Sequence, residues 1–282
     1  MDARKSNCRI GLVTASLVSL ALAAVISSAA EPKPQAADAY GRGIGQLQKN
    51  EPQAAIASFD EAIRLDPRHA AAWHKRAQCH YLKGDARKAI DDCTEAIKLE
   101  PANADFHCGR GSALLQAGNL DKAIADYGEA VRLDPKLAKA WYNRGRAFLQ
   151  MNALDNALAD LTEAIRLQPG LAPFYLVRGQ VHAKRQDYPK FVADYSEAIR
   201  LEPGCAEAWL GRGLARVFLG QTDEALNDVT EAIRLRPDHA ESYRVRSYLY
   251  QSRGAAEKAL ADQTKAADLE KTAARPAASR AQ

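Results

Sequence analysis

The chain has 282 residues, with 39 Lys or Arg, 35 Asp or Glu and a formal net charge of +4. Binding along a phosphate backbone needs a clustered excess of basic side chains, so this near balance is evidence against a nucleic-acid partner. The sequence has no P-loop, no nucleophile elbow and no H-E-x-x-H motif, and its six histidines are scattered. Because no set of catalytic side chains converges in the sequence, we expect a protein that is not an enzyme.

The first thirty residues have the pattern of a secretory signal peptide. Three basic side chains come first: Arg4, Lys5 and Arg9. An apolar or small stretch runs from Ile10 to Ile26, and residues 28–30 are Ser-Ala-Ala, the small residues that a signal peptidase requires. This pattern predicts cleavage before Glu31, and residues 31–35 then form a short linker.

An uncleaved membrane anchor is the alternative to this signal peptide. The 21 uncharged residues at 10–30 are just long enough to cross a bilayer as a helix. Both interpretations predict export, into the periplasm of a bacterium, with membrane contact only through an uncleaved N-terminal segment. Without residues 1–30 the chain keeps 36 basic and 34 acidic side chains, which strengthens the evidence against a nucleic-acid partner.

Beyond residue 35 the sequence repeats with a period of 34 residues. A proline that ends variants of the phrase EAIRLDP marks the period, at Pro67, Pro101, Pro135, Pro169, Pro203 and Pro237. Seven frames follow from it, beginning at Ala36, Ala70, Ala104, Ala138, Ala172, Ala206 and Ala240. Such a period is typical of a solenoid of stacked helix pairs. The repeats extend over residues 36–271, and the polar, proline-containing residues 272–282 predict a disordered tail.

Each frame has the pattern of a helix, a turn and a second helix. The first half has a small residue at repeat position 8 and, in five repeats, Trp or Tyr at position 4 on the same helix face. The second half has Ala at position 27 in every repeat and at position 20 in six, which lets two helices approach closely. The proline at position 32 ends the second helix. The sequence therefore predicts an all-α fold.

This pattern resembles the tetratricopeptide repeat, whose signature is W-x2-L-G-x2-Y, then A-x3-F, then P. The match is clearest in residues 138–171, with Trp141, Gly145, Phe148, Ala157, Leu161, Ala164 and Pro169. The resemblance implies a right-handed superhelix of antiparallel helix pairs. It also implies an inner groove, lined by the first helices, that binds peptides or extended segments of partner proteins.

One departure from the family pattern is systematic. Repeat position 7, where the family has Leu, is always arginine: Arg42, Arg76, Arg110, Arg144, Arg178, Arg212 and Arg246. Position 23 is aspartate in six repeats, at Asp92, Asp126, Asp160, Asp194, Asp228 and Asp262, and Ser58 in the first. A guanidinium binds a carboxylate through two parallel hydrogen bonds, so the two rows predict a structural ladder of ion pairs. The alternative is an arginine row that binds phosphates or acidic peptides.

The resemblance implies that first-helix positions 2, 5, 6, 9, 12 and 13 face the groove. In repeats 2 to 4 these positions hold polar and basic side chains: His74, Lys75, Gln78, Lys139, Tyr142, Asn143 and Arg146. In repeats 5 and 6 they are mainly apolar: Leu176, Val177, Gln180, Leu210, Leu214 and Phe218. The pattern predicts binding of an extended peptide with an acidic or polar end and an apolar end. The alternative is ordinary variation on a solvated surface.

Four cysteines follow the predicted signal peptide: Cys79, Cys93, Cys108 and Cys205. Their spacing matches no C-x2-C zinc framework, although His80 and His107 are near three of them in the sequence. A metal site, a disulfide among the first three, and small core residues are the three interpretations, and export would permit a disulfide.

We therefore expect a non-catalytic scaffold or adaptor, without a cofactor, that binds peptide segments of other envelope proteins in its concave groove. The second hypothesis is a chaperone-like factor in cytochrome maturation or in outer-membrane or pilus assembly, a role of some bacterial members of the family. A redox-active or metal-binding protein is the third hypothesis.

Overall fold

The structure is a computed structural model, and it describes residues 34–274. The first helices of the seven repeats are α1 (Pro34–Gln48), α3 (Ala70–Leu82), α5 (Ala104–Gln116), α7 (Ala138–Gln150), α9 (Ala172–Lys184), α11 (Ala206–Phe218) and α13 (Ala240–Ser252). The second helices are α2 (Pro52–Leu65), α4 (Ala86–Leu99), α6 (Leu120–Leu133), α8 (Leu154–Leu167), α10 (Tyr188–Leu201), α12 (Thr222–Leu235) and α14 (Ala256–Ala274). The predicted signal peptide lies outside these described residues.

The fourteen helices of residues 34–274 pack as seven consecutive pairs, so the predicted all-α solenoid is confirmed. Each second helix also packs against the first helix of the following repeat. From repeat 1 to repeat 5, the first helices of successive repeats contact one another directly. We call this continuous row of first helices, from repeat 1 to repeat 5, the inner row. None of the helices within residues 34–274 has both the length and the apolar character needed to span a bilayer.

The two ends of the solenoid differ slightly from the predicted boundaries. Helix α1 includes Pro34 and Gln35, which the sequence assigns to the predicted linker. Helix α14 continues to Ala274, three residues into the predicted tail. There Thr272 donates a hydrogen bond from Oγ1 to the Asp268 carbonyl at 2.7 Å, and alanine favours the helix. The other six first helices begin at the first residue of their frames.

Every first helix is followed, two residues after its last residue, by a left-handed residue at repeat position 15. This residue is Gly84, Gly118, Gly220 or Gly254 in four repeats, and Asn50, Asn152 or Gln186 in the others. A positive φ at this place lets the next amide groups bond back to the last carbonyls of the helix. Asp85, for example, donates its backbone N–H to the His80 carbonyl at 2.9 Å. The turn that reverses the chain is therefore the same in all repeats.

The small residue at position 8 makes room for the residue at position 24. A Cβ added to Gly179 would lie 2.6 Å from the ring of Tyr195, and one added to Gly145 would lie 2.9 Å from Leu161 Cγ. Both distances are too short for non-bonded carbon atoms. The two helices of a repeat can therefore pack around these large side chains only if position 8 stays small.

The arginine and aspartate rows meet within each repeat. In repeat 4, Arg144 donates to both carboxylate oxygens of Asp160, from Nε at 2.7 Å and from Nη2 at 2.9 Å. The same two-bond geometry recurs in the pairs Arg76–Asp92, Arg110–Asp126, Arg178–Asp194, Arg212–Asp228 and Arg246–Asp262. All six aspartates are buried. Each guanidinium thus already holds a carboxylate, which leaves less of it for an external anion.

An aromatic side chain at position 4 joins this ion pair to the preceding repeat. Trp141 donates its indole N–H to the Pro135 carbonyl at 3.0 Å, and the guanidinium carbon of Arg144 lies 5.0 Å from the ring centroid. In repeat 3 the same place is held by His107, whose Nε2 lies 2.9 Å from the Pro101 carbonyl oxygen. The proline of one repeat and the aromatic, arginine and aspartate of the next therefore form one connected unit.

Repeat 1 lacks this arrangement because Ser58 replaces the aspartate. The Ser58 hydroxyl donates to Gln46 Oε1 at 2.7 Å, and Arg42 instead pairs with Glu61 at the surface. The first repeat therefore lacks the buried charge pair of the other six, and its surface ion pair contributes little to stability.

We expect Asp160→Ala to lower the free energy of unfolding by on the order of 3 kcal/mol, because the change leaves the largely buried Arg144 guanidinium without its carboxylate. Thermal and urea unfolding measure the effect. Glu163→Ala is the matched control, since it removes a carboxylate that pairs with Arg166 on the exposed side of the same helix and should shift the melting temperature far less. Equal melting temperatures for Asp160→Ala and the unmodified chain would contradict a structural role.

Candidate peptide-binding groove

Two adjoining cavities open along the inner row at α3, α5 and α7. The first has a volume of about 200 Å³ and is lined by His74, Ala77, Gln78, Tyr81, Cys93, Asp105, Cys108, Gly109, Ser112, Lys139 and Asn143. The second has a volume of about 250 Å³ and is lined by Tyr81, Ser112, Leu115, Gln116, Tyr127, Asn143, Arg146 and Gln150. Because they share Tyr81, Ser112 and Asn143, they form one groove across repeats 2 to 4. Five of the seven predicted polar groove residues line it.

The first cavity exists because repeat 3 has small side chains at the positions that face the groove. Positions 5, 6 and 9 hold Cys108, Gly109 and Ser112 in this repeat. In repeat 4 the same positions hold Tyr142, Asn143 and Arg146, and Tyr142 stacks on Phe174 of the next repeat with ring centroids 4.7 Å apart. The inner row therefore has a gap at repeat 3, whereas repeats 2 and 4 have larger residues at the same three positions.

His74 forms a wall of this gap, although the sequence pattern predicts it on the groove surface. The structure buries it, with 6% of the residue exposed, beside the ring of Phe106 at a centroid distance of 4.9 Å. A Cβ added to Gly109 would lie 2.6 Å from His74 Cε1, so the imidazole needs glycine there. Burial lowers the pKa of His74 to about 4, and the nearby Lys75 acts in the same direction. The imidazole is therefore neutral at pH 7.

The charged side chains of the groove are only partly compensated. Lys139 Nζ lies 2.5 Å from Asp105 Oδ1, so these two charges neutralise each other. Lys75 donates to the neutral Gln78 Oε1 at 3.1 Å, and the Arg146 guanidinium carbon lies 5.5 Å from the Tyr142 ring centroid. Within residues 34–274, no carboxylate lies within 4.0 Å of Lys75 or Arg146. These two cations give the groove a positive potential.

The predicted apolar half of the groove is only partly exposed. Leu210 is buried in the core with 8% of the residue exposed, which corrects its assignment to the surface, and Leu176 and Leu214 are half-buried. Phe218 is 65% exposed and stacks on Tyr188 of the preceding repeat, with ring centroids 4.5 Å apart.

Two further residues at groove positions are exposed in this half. Gln180 is exposed as predicted for a groove position. Tyr248, at position 9 of repeat 7, is 59% exposed and was missed by the sequence analysis, although its repeat position is a groove position. The exposed apolar surface of the groove thus reaches into repeat 7.

All four cysteines of residues 34–274 are free thiols, and three of them are buried. Burial raises the pKa of Cys93 to about 12 and those of Cys79 and Cys108 to about 11, so these thiols stay protonated at neutral pH. Within the same residues, no three His, Cys, Asp or Glu side chains come together as a metal site would require. The thiols of Cys93 and Cys108 line the first cavity as weakly polar surface.

A model of the tetratricopeptide repeat matches residues 40–104, 176–217 and 210–279, which together are more than half of the chain. A second model of this repeat matches residues 138–171, and a model described as TPR repeat matches residues 111–152. The chain belongs to the tetratricopeptide repeat family. The resemblance in the sequence is therefore confirmed for the repeats.

Solved structures of other proteins have the same fold, and two of those named here are described as tetratricopeptide repeat (TPR) proteins. A TPR protein from Parabacteroides merdae is 19% identical, with a TM-score of 0.62 over 84% of this chain and 94% of that chain. YrrB, described as a TPR protein with an unusual peptide-binding site, is 24% identical, with a TM-score of 0.57 over 64% of this chain and 93% of that one. A MamA structure is 26% identical, with a TM-score of 0.54 over 61% of this chain and 94% of that one. No curated protein matches the sequence significantly.

We expect the solenoid to lose stability in acid through His74. The pKa of His74 is about 4 in the folded chain and about 6.5 when unfolded, so between these pH values only the unfolded chain takes up the proton. The free energy of unfolding therefore falls as the pH drops below about 6.5, by on the order of 2 kcal/mol at pH 5, and this contribution stops changing below about pH 4.

Urea unfolding at pH 7.5 and pH 5 measures this contribution. In His74→Leu the difference between the two pH values should be smaller than in the unmodified chain by about the amount given. Gln78→Leu, one turn along the same helix, removes no titratable group and should keep the full difference. An undiminished difference in His74→Leu would show that this imidazole is not buried in its neutral form.

Proposed function

We propose that this TPR protein is a non-catalytic scaffold that holds an extended peptide segment of a partner protein along its inner row. The observation that carries the proposal is the groove across repeats 2 to 4. It is open and lined by side chains that can form hydrogen bonds. Arg146, in its lining, and Lys75, which is bonded to the lining residue Gln78, both lack a carboxylate partner among residues 34–274.

Charge complementarity predicts that one end of the peptide is acidic. Two uncompensated cations attract acidic side chains, increase the rate of encounter and disfavour basic partners. The cation at Arg146 also packs over the ring of Tyr142, which restricts the guanidinium and reduces the entropy lost on binding. This half of the groove is suited to a peptide segment with Asp or Glu.

The other end of the peptide is expected to be apolar. Phe218 and Tyr248, on the first helices of repeats 6 and 7, are large side chains with more than half of their surface exposed, and Leu214 lies half-buried on the same helix as Phe218. Exposed aromatic residues of this kind are enriched at protein interfaces, since they bury a large area with few rotatable bonds. YrrB, a protein of the same fold, is described as having an unusual peptide-binding site, and this supports the proposal that the present chain binds a peptide.

We also place this function outside the cytoplasm, with segments of envelope proteins as partners. The basic start, the apolar stretch and the Ser-Ala-Ala sequence of residues 1–30 support export. A partner in the same compartment follows from that location.

Replacing the two cations together, in Lys75→Glu/Arg146→Glu, should abolish capture of an acidic partner, because the groove then repels it. Leu214→Ser/Phe218→Ser should weaken the contacts with the apolar end of the peptide. The measurement is capture of envelope proteins by the immobilised chain, followed by mass spectrometry, with helix content and melting temperature recorded for each variant.

Lys122→Glu is the control for the charge variant, since Lys122 is exposed on a second helix away from the inner row. It should leave capture unchanged. A captured protein that binds equally well to both double variants would place the site on another surface and exclude the groove.

N-terminal sequencing of the protein from cell fractions tests export. A chain that begins at Glu31 in the soluble envelope fraction is the expected result. An intact chain in the membrane fraction would indicate an anchor in place of a cleaved signal. An intact chain in the cytosol would contradict the proposed location and return cytoplasmic proteins to consideration.

A further inference from the structure

The cavity between α3, α5 and α7 has a chemical character of its own within the groove. Its only formal charges are those of Asp105 and Lys139, and these bind each other at 2.5 Å. The rest of its lining is neutral: Ala77, Cys93 and Cys108, the imidazole of His74, and hydroxyl and amide groups. A charged side chain that entered would lose its hydration without meeting an unpaired opposite charge.

The size of the cavity suits one large side chain. An apolar cavity of about 150 Å³ accommodates a benzene ring, and this cavity is about 200 Å³. Repeat 3 is the only repeat whose positions 5, 6 and 9 are all small, at Cys108, Gly109 and Ser112. The inner row therefore offers a single place of this kind, and an anchor residue of a peptide would bind at a defined repeat.

The two uncompensated cations belong to α3 and α7, the helices of repeats 2 and 4 that line this cavity together with α5. Lys75 donates a hydrogen bond to Gln78, which lines the cavity from α3. Arg146 lines the adjoining cavity from α7, and Asn143 belongs to both. A peptide that crosses the inner row from repeat 2 to repeat 4 would pass one cation, then the cavity, then the second cation.

We propose that this cavity receives a large uncharged side chain of the partner peptide, and that Lys75 and Arg146 bind carboxylates on either side of that residue. The proposal rests on the proposed peptide-binding function and gives it a recognition pattern of acidic, large uncharged, acidic residues. The apolar surface at Phe218 then adds contacts beyond this motif.

Selection of a phage library of random dodecapeptides on the purified full-length chain tests the pattern. Synthetic, fluorescently labelled copies of the selected peptides then give Kd values by fluorescence polarisation. We expect the peptides to share a Leu, Met, Phe or similar side chain with Asp or Glu within a few residues on both sides. Replacing the central residue by Asp or Lys in the peptide should raise Kd about tenfold or more, as for the loss of an interface anchor.

Protein variants identify the place of binding. Cys108→Leu fills the cavity with the side chain that repeat 6 has at the same position, Leu210, and should raise Kd by about tenfold or more. Lys75→Ala and Arg146→Ala should each weaken binding and reduce its dependence on salt, whereas Lys122→Ala should change neither. If Cys108→Leu does not fold, the substituted peptides still test the proposal against the unmodified chain.

The outcomes separate this proposal from the function on which it rests. Selected peptides that tolerate a charged central residue, or that resist Cys108→Leu and both cation variants but lose binding in Leu214→Ser/Phe218→Ser, would overturn the recognition pattern and leave peptide binding intact. Selection that yields no binder, or only binders that resist every groove variant, would overturn both.

Discussion

A buried arginine–aspartate pair in each of repeats 2 to 7 is the interaction on which the rest of this solenoid depends. The carboxylate lies between the two helices of a repeat, where it is too buried to remain charged without a cation. The guanidinium that pairs with it is covered by the aromatic side chain at position 4, which is in turn bonded to the proline carbonyl of the preceding repeat. Packing inside a repeat and stacking between repeats therefore share the same few side chains.

This pair also determines which side of the first helix faces the groove. Successive residues of an α-helix are about 100° apart, so positions 5, 9 and 12 lie roughly opposite position 7. Because position 7 is held against the second helix, the opposite side of the first helix is left for contact with a partner. The buried ion pairs and the exposed cation Arg146, at position 9, are two consequences of one orientation.

The sequence was sufficient for the fold because the repeat is a local pattern. Position 8 glycines and the proline at position 32 act within one helix pair, so six of seven first helices begin at the predicted residue. The sequence determined the partner of Arg144 less well. Asp126 and Asp160 both occupy repeat position 23, one on the second helix of the preceding repeat and the other on the second helix of the repeat that contains Arg144. The left-handed residue at position 15 was missed, although Gly84 and Asn152 at that position are the residue types that favour a positive φ.

The site was predicted less well than the fold because its exposure depends on contacts between repeats. His74 is buried because Phe106, in the next repeat, lies against its ring, and Gly109 leaves space for it. Cys108 has no such large neighbour, since the corresponding residue of repeat 4 is Ala140. A pattern read one helix at a time assigns the same face to both residues. Only the contacts between side chains of two repeats show that the space beside His74 is filled and that a cavity is left beside Cys108.

The arginines of the ladder differ in one respect that affects how the solenoid responds to load. Arg76, Arg178 and Arg212 extend a further hydrogen bond to the preceding repeat, at Asp60, Thr162 and Ser196. Arg144 faces Gly128 and, like Arg110 and Arg246, has no such bond among residues 34–274. The joint between repeats 3 and 4 is consequently less cross-linked behind the groove than the joint between repeats 1 and 2. The joint between repeats 2 and 3 lacks this bond as well, because Arg110 bonds only to Asp126. Both joints behind the groove are therefore less restrained than the joint between repeats 1 and 2, and the width of the groove adjusts there.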